Sequence, residues 1–280
     1  VAIKDILLPL VGDPSPAAIV AIEKCVAMAA NIGARITAVA IEVDVAVRPT
    51  VMTSADPDNG ETVEAMRSVS NASGLLAAFD RAAIRLGACS EQSVRRLPQP
   101  DMAAQLAHRA RLSDLTVVPV KPHDAQLESI IERLIFESGR PILLCPEELA
   151  ARLAPTFDNI AIAWDHSAPA ARAIADSLPL LQAAASVRIF TVTDAATAAE
   201  LGSGAALAGH LALHGVAANF ETVKRGGSSV GRVLGTLARA HTIDLLVMGA
   251  YRHSRLNEWV WGGASNTVIG EPPCWVMMSH

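Results

Sequence analysis

The chain has 280 residues, of which 51% are apolar, 18% charged and only 4% aromatic, with a formal net charge of -5. That length suits two domains of about 140 residues each, and a core built from Ala, Val, Ile and Leu is the palette of parallel sheets covered by helices. The acidic balance without like-charge runs excludes sequence-independent binding to nucleic acid. No uninterrupted apolar run approaches the roughly 20 residues that span a bilayer.

In chain order, Ile3 to Leu10 reads as a buried strand, Pro14-Ser15-Pro16 as a turn, and Ile19, Ile22, Val26 and Ala29 as one face of a helix. Arg35 to Val43 is a second strand. Val45 to Gly60, with Pro49, Pro57 and Gly60, reads as an irregular surface insertion. A helix is expected from Glu61 to Leu86, a short strand from Ser93 to Leu97, a helix from Asp101 to Arg111, a strand from Leu115 to Val120, a helix from Leu127 to Phe136 and a strand from Ile142 to Cys145. Such alternation argues for a parallel sheet with helices on both faces.

The second half repeats this syntax. Asn159 to Trp164 answers Asp5 to Leu10, the helix Ala168 to Leu181 answers Pro16 to Ala29, and Val187 to Val192 answers Arg35 to Ala40. The run Arg109 to Val118 stands against Arg239 to Met248, and Arg140 to Leu144 is matched with Pro272 to Val276 as the final strand. The expected division is a first domain at 1–146, a linker at 147–157 and a second domain at 158–280.

The chemistry is expected after the strand Ile243 to Met248. There Gly249-Ala250-Tyr251-Arg252-His253 leads through a polar loop to Gly262-Gly263-Ala264-Ser265 at the start of a helix. Glycines let a backbone approach closely, and a helix N-terminus offers unpaired N–H groups to an anion. In an open parallel sheet this loop lies at the carboxyl ends of the strands, where ligands bind.

With its duplicated organisation, this loop resembles that of the universal stress protein family, tandem two-domain type. The nucleotide-binding motif of that family is Gly, two residues, Gly, nine residues, Gly, then Ser or Thr. Gly249 and Gly262 match it; Arg252 stands in place of the second Gly and Gly263 in place of the hydroxyl residue. The resemblance implies two open five-stranded parallel sheets of Rossmann-like, adenine nucleotide alpha hydrolase-like fold, strand order 3-2-1-4-5, associating through edge strands.

It also implies an adenine nucleotide, ATP with Mg2+ accompanying it, or another small anion, in the second half. Ala163, Asp165 and the main chain near Val192 are placed around the nucleoside, and Gly249, Arg252, His253, Gly262, Gly263, Ala264 and Ser265 around ribose and phosphates. Arg252 either plugs the site or pairs with phosphate. In the first half Val11 takes the position of Asp165, and the fourth strand ends with Pro119-Val120-Lys121-Pro122 and no glycine-rich loop, so its ligand loop is degenerate.

No nucleophile with a positioned base is read, so the expectation is a stress-response binding protein with at most slow ATP hydrolysis. The alternative is a nucleotide-free dimerising scaffold with degenerate pockets. No metal motif is present. Cys25, Cys89, Cys145 and Cys274 read as four buried thiols, and with no export leader in view the expected location is cytoplasmic. A homodimer is the expected assembly. His166 and His253 are expected on loops at the ligand edge, Gly202-Ser203-Gly204 as a helix break, Ser229 as a helix cap, and Trp259 and Trp261 as packing residues near the sheet edge or between domains.

Overall fold

A computed structural model describes residues 2–44, 58–148, 156–194, 198–250, 252–255, 258–261 and 263–280, with the side chains of 58–62, 198–202 and 252–261 outside the description. The first half runs β1 (Asp5–Leu10), α1 (Pro16–Asn31), β2 (Arg35–Val43), α2 (Asp58–Leu86), β3 (Ser90–Leu97), α3 (Met102–Ala110), β4 (Leu115–Val120), α4 (Ala125–Glu137) and β5 (Ile142–Pro146). The second runs β6 (Asn159–Ala163), α5 (Ala168–Ala183), β7 (Ser186–Val192), α6 (Ala198–Leu213), β8 (Ala218–Val223), α7 (Val230–Ala240) and β9 (Leu245–Gly249). It continues through β10 (Arg252–Arg255) and β11 (Glu258–Trp261) to α8 (Gly263–Gly270) and β12 (Trp275–Ser279).

The strands form one sheet of ten in the order β3-β2-β1-β4-β5-β12-β9-β6-β7-β8. Each half contributes the expected 3-2-1-4-5 order, and the halves associate through their edge strands as expected, which joins them into one sheet. β5 and β12 pair antiparallel, with Met277 opposite Leu143, Val276 opposite Leu144 and Met278 opposite Ile142, while every other pairing in the sheet is parallel. A pseudo-twofold axis therefore passes through the Leu143–Met277 pair.

Alternation along the strands feeds two cores. Ile6 and Leu8 point to the face covered by α1, α2, α5 and α6, and Leu7 to the face covered by α3, α4, α7 and α8. Because the sheet is continuous, each core runs across both halves.

The repeat also has a polar signature. The Asp114 carboxylate accepts from the backbone N–H groups of Lys4 and Asp5 at 2.9 and 3.1 Å, and Asp244 accepts from Asn159 N–H at 2.8 Å. In each half, one aspartate at the start of the fourth strand thus ties down the start of the first. Asp114→Ala and Asp244→Ala are each expected to cost about 1–2 kcal/mol in urea denaturation; the two sites lie in different halves, so the losses should add in the double variant.

Several expectations are corrected. The register of β12 against β9 makes Val276 the counterpart of Ile142, two residues beyond the match drawn from the prolines. By the same comparison Ser186, not Val187, answers Arg35. Gly202-Ser203-Gly204 does not break α6, which runs through it. A Cβ on Gly204 would run into the Phe220 ring, so the glycine admits β8's aromatic side chain against the helix. Asp58 to Gly60 opens α2, while 45–57 lies outside the described residues, as does 149–155 of the expected linker.

Three cysteines are buried as expected, but Cys89 is exposed. Burial pushes the Cys274 thiol up to about 12 and moves Cys25 in the same direction, so neither supplies a thiolate near neutral pH. Among the described residues no helix is long and apolar enough to cross a membrane.

Candidate functional site

At the centre of the second half-sheet the chain reverses direction. From β6 it proceeds outward to β7 and β8, then crosses back to β9 on the other side of β6. The connections leaving β6 and β9 therefore diverge and open a crevice at the carboxyl ends of these neighbouring strands. A cavity of about 590 Å³ occupies that place.

Seven of the ten residues expected at the site line it together: Ala163, Asp165, Val192, Gly249, Gly263, Ala264 and Ser265. Arg252 and His253 lie on β10 and Gly262 is outside the described residues. The stretch expected as a polar loop forms a hairpin instead, with Arg252 opposite Trp261 and His253 opposite Val260. Trp259 and Trp261 stand on β11, their side chains outside the description, so their expected packing role falls there too.

The floor of the cavity is the strand ends. Trp164 N–H continues the ladder to Phe190 O at 2.8 Å, and Thr191 Oγ1 donates to Trp164 O at 2.8 Å, which fixes the exit of β6. The next residues turn sharply. Asp165 accepts from Ser167 N–H at 3.0 Å, and His166 adopts φ +64°, a left-handed conformation that few non-glycine residues take. Ser167 then caps α5 by accepting from Ala170 N–H at 3.2 Å. This tight turn is what holds the Asp165 carboxylate at the cavity edge.

Gly249 has a structural reason as well as a place in the lining. A Cβ there would sit 2.5 Å from Ala170 N and 2.7 Å from Pro169 C, inside the first turn of α5. The helix can therefore begin directly over the end of β9 only because residue 249 has no side chain.

The opposite wall is polar. Gly263, Ala264 and Ser265 begin α8, and Ser229 and Val230 begin α7, so the first turns of two helices face the same space. Ser229 caps α7 as expected, accepting from Arg232 N–H at 3.3 Å. Helix N-termini carry partial positive charge.

Arg225, which the sequence reading passed over, lines the cavity too. Its guanidinium is paired with Asp194 through Nη2 and Nε at 2.7 and 2.9 Å. Both partners are about half exposed, so the pair contributes well under about 1 kcal/mol to stability and is free to exchange partners. Ser203 was also missed; its hydroxyl accepts from Trp164 Nε1 at 2.7 Å. The signal for Arg225 was its place beside Gly226-Gly227-Ser228-Ser229, a Gly/Ser helix start that reads first as an N-cap and second as an additional anion contact. Among the described residues no cluster of three His, Cys, Asp or Glu side chains is arranged to hold a metal.

Among the described residues of the first half the corresponding place is closed. Pro119 occupies the position of Gly249, α4 begins after only a short link, and Leu127, Pro119 and Glu147 close over the strand ends, leaving cavities of about 10 and 40 Å³. Burial raises the Glu147 carboxyl above its ordinary range against the pull of Lys121.

This asymmetry agrees with comparison to known proteins. Residues 156–280 match the model of the universal stress protein family. The matched residues are those of the half that holds the open cavity. No curated protein matches the chain.

Among solved structures, a universal stress protein from Archaeoglobus fulgidus DSM 4304 superposes with a TM-score of 0.71 at 14% identity, over 99% of this chain and 96% of its own. A putative universal stress protein from Pseudomonas aeruginosa UCBPP-PA14 gives 0.61 at 12% identity, over 99% and 93%. The cytoplasmic domain of a prokaryotic cation chloride cotransporter gives 0.52 at 12% identity, over 99% and 95%. At these identities the likeness is one of fold, and it extends over both halves. Among the described residues, what distinguishes the matched half from the other is the open cavity.

Proposed function

We propose that this is a stress-response protein whose universal stress domain, residues 158–280, binds an adenine nucleotide, ATP with Mg2+, while the first domain, 1–146, joined through 147–157, serves as its structural partner. The observation that carries this reading is the convergence of Ala163, Asp165, Val192, Gly249, Gly263, Ala264 and Ser265 on one cavity bounded by two helix N-termini. Its apolar floor, with Phe190, Val192 and Met248, suits a base, with Asp165 at the ribose. The α8 N-terminus, Arg225 and, from the hairpin, Arg252 suit the phosphates. A binding protein needs no more than this, and slow hydrolysis is the most the arrangement supplies.

Because β5 and β12 pair with each other, the two halves already make the contact that edge strands would otherwise make between molecules. A homodimer of this chain would have to use other surfaces, such as the end strands β3 and β8 or the helical faces. The scaffold reading draws on the same seam, which holds the halves together whether or not the cavity is filled.

Calorimetric titration with ATP and Mg2+ tests the reading on three proteins: the unaltered chain, Arg252→Gly and Gly263→Ser. A Cβ on Gly263 meets nothing within 4 Å, so serine is accommodated there and restores the family hydroxyl. Micromolar binding by the unaltered chain is expected, with Gly263→Ser tighter by about five- to tenfold, the worth of one added hydrogen bond. Heat only from Arg252→Gly means an intact cavity plugged by one side chain. Silence from all three overturns nucleotide binding and leaves the scaffold.

A further inference from the structure

The helices over one face of the sheet differ between the halves. α1 and α2 pack directly on each other, with Phe79 fully buried, whereas among the described residues α5 and α6 have no comparable contact. Between them runs a groove of about 410 Å³. Its α5 wall is Ala171, Ile174, Ala175 and Leu178, a single helical stripe, and its α6 wall is Ala206, Leu207 and Leu211. Ala171, Ala175 and Ala206 remain exposed in it.

The two ends of the groove are different. One is closed by the Trp164 indole, held by Ser203 and shared with the larger cavity, with His166 beside it. The other carries His210 and His214, one helical turn apart, exposed, with ring centroids 4.9 Å apart. Among the described residues no carboxylate lines the groove.

We propose that this groove is a second ligand site that takes a medium-chain carboxylic acid, its chain between α5 and α6 and its carboxylate at His210 and His214. The aliphatic walls expose apolar surface that a hydrocarbon chain would remove from water. An imidazole N–H donates to a carboxylate in either protonation state, and here two rings meet, one on the last turn of α6 and one just past its end. The head is directed to that end because Asp165 stands next to His166 at the other. The last α6 carbonyls are also occupied: Leu211 O accepts from His214 and Val216 N–H, and Ala212 O from Gly215 N–H, at 3.0 Å each, so they do not face the anion unpaired. This site does not depend on the nucleotide reading, with which it shares only one end wall.

The test is titration of the full chain with octanoate and decanoate below their micelle concentrations, followed by calorimetry and by tryptophan fluorescence against Trp164→Phe. Saturable one-to-one binding is expected, tightening about fourfold for each added methylene, with a fluorescence change that Trp164→Phe removes. Ala206→Phe and, independently, Ala175→Phe fill the groove and abolish binding. The double variant His210→Leu/His214→Leu weakens decanoate at least tenfold and leaves decanol unaffected. No saturable binding, binding indifferent to both phenylalanines, or equally tight binding of decyltrimethylammonium overturns the proposal.

Discussion

Gly249→Ala is expected to destabilise the protein by about 3 kcal/mol or more, a large loss for the addition of one methyl group. The atoms that its Cβ would meet, Ala170 N at 2.5 Å and Pro169 C at 2.7 Å, are backbone, so no side chain can rotate aside. Relief requires moving the first turn of α5, and that turn is pinned by the Ser167 cap and the Asp165 turn before it. Stability and site geometry therefore fail together, because displacing α5 drags Asp165 from the cavity edge. Urea denaturation measures the first effect, with Gly263→Ala as the matched control at a glycine in open space, expected within about 0.5 kcal/mol of the unaltered chain. Equal stability of the two variants would mean that the close approach of α5 to β9 is not as described.

The same glycine shows what a sequence does and does not display. Its position at the end of a strand was legible, and so was its membership of the cavity, because strand alternation and repeat register place residues on a topology without knowledge of contacts. Its reason was not, since the atoms it accommodates lie some 80 residues earlier in α5. Asp114 and Asp244 could be aligned as equivalents, but the backbone groups they bind could not be read from the repeat.

Local signals misled where tertiary packing decided the outcome. Pro141 and Pro273 suggested one alignment of the final strand, while hydrogen-bond register sets another. Two glycines in α6 read as a break, although a ring from β8 needs the room that Gly204 leaves and the alanines around it keep the helix formed. Arg225 was passed over because its partner Asp194 is 31 residues away. The α5–α6 groove was hidden for a related reason: a stripe of Ala and Leu has the same pattern whether or not a neighbouring helix covers it.

The continuous sheet makes its own strong prediction. Met277→Glu is expected to cost more than about 4 kcal/mol, since it places a carboxylate with no solvent access and no partner at the centre of the seam. Met66→Glu, at a methionine 68% exposed on α2, should change stability by less than about 0.5 kcal/mol and controls for the chemistry of the substitution.

Leu143→Lys alone should be as damaging as Met277→Glu, for the same reason. Combined in one chain, the two charges face each other across the pseudo-twofold axis, and the double variant should recover about 1–3 kcal/mol of the summed loss. That coupling reads the register directly: lysine at Ile142 with glutamate at Met277 is one step out of line and on the opposite face of the sheet, and should recover little. If both lysine positions couple equally to Glu at 277, the seam is not held in the single register that makes two half-sheets into one.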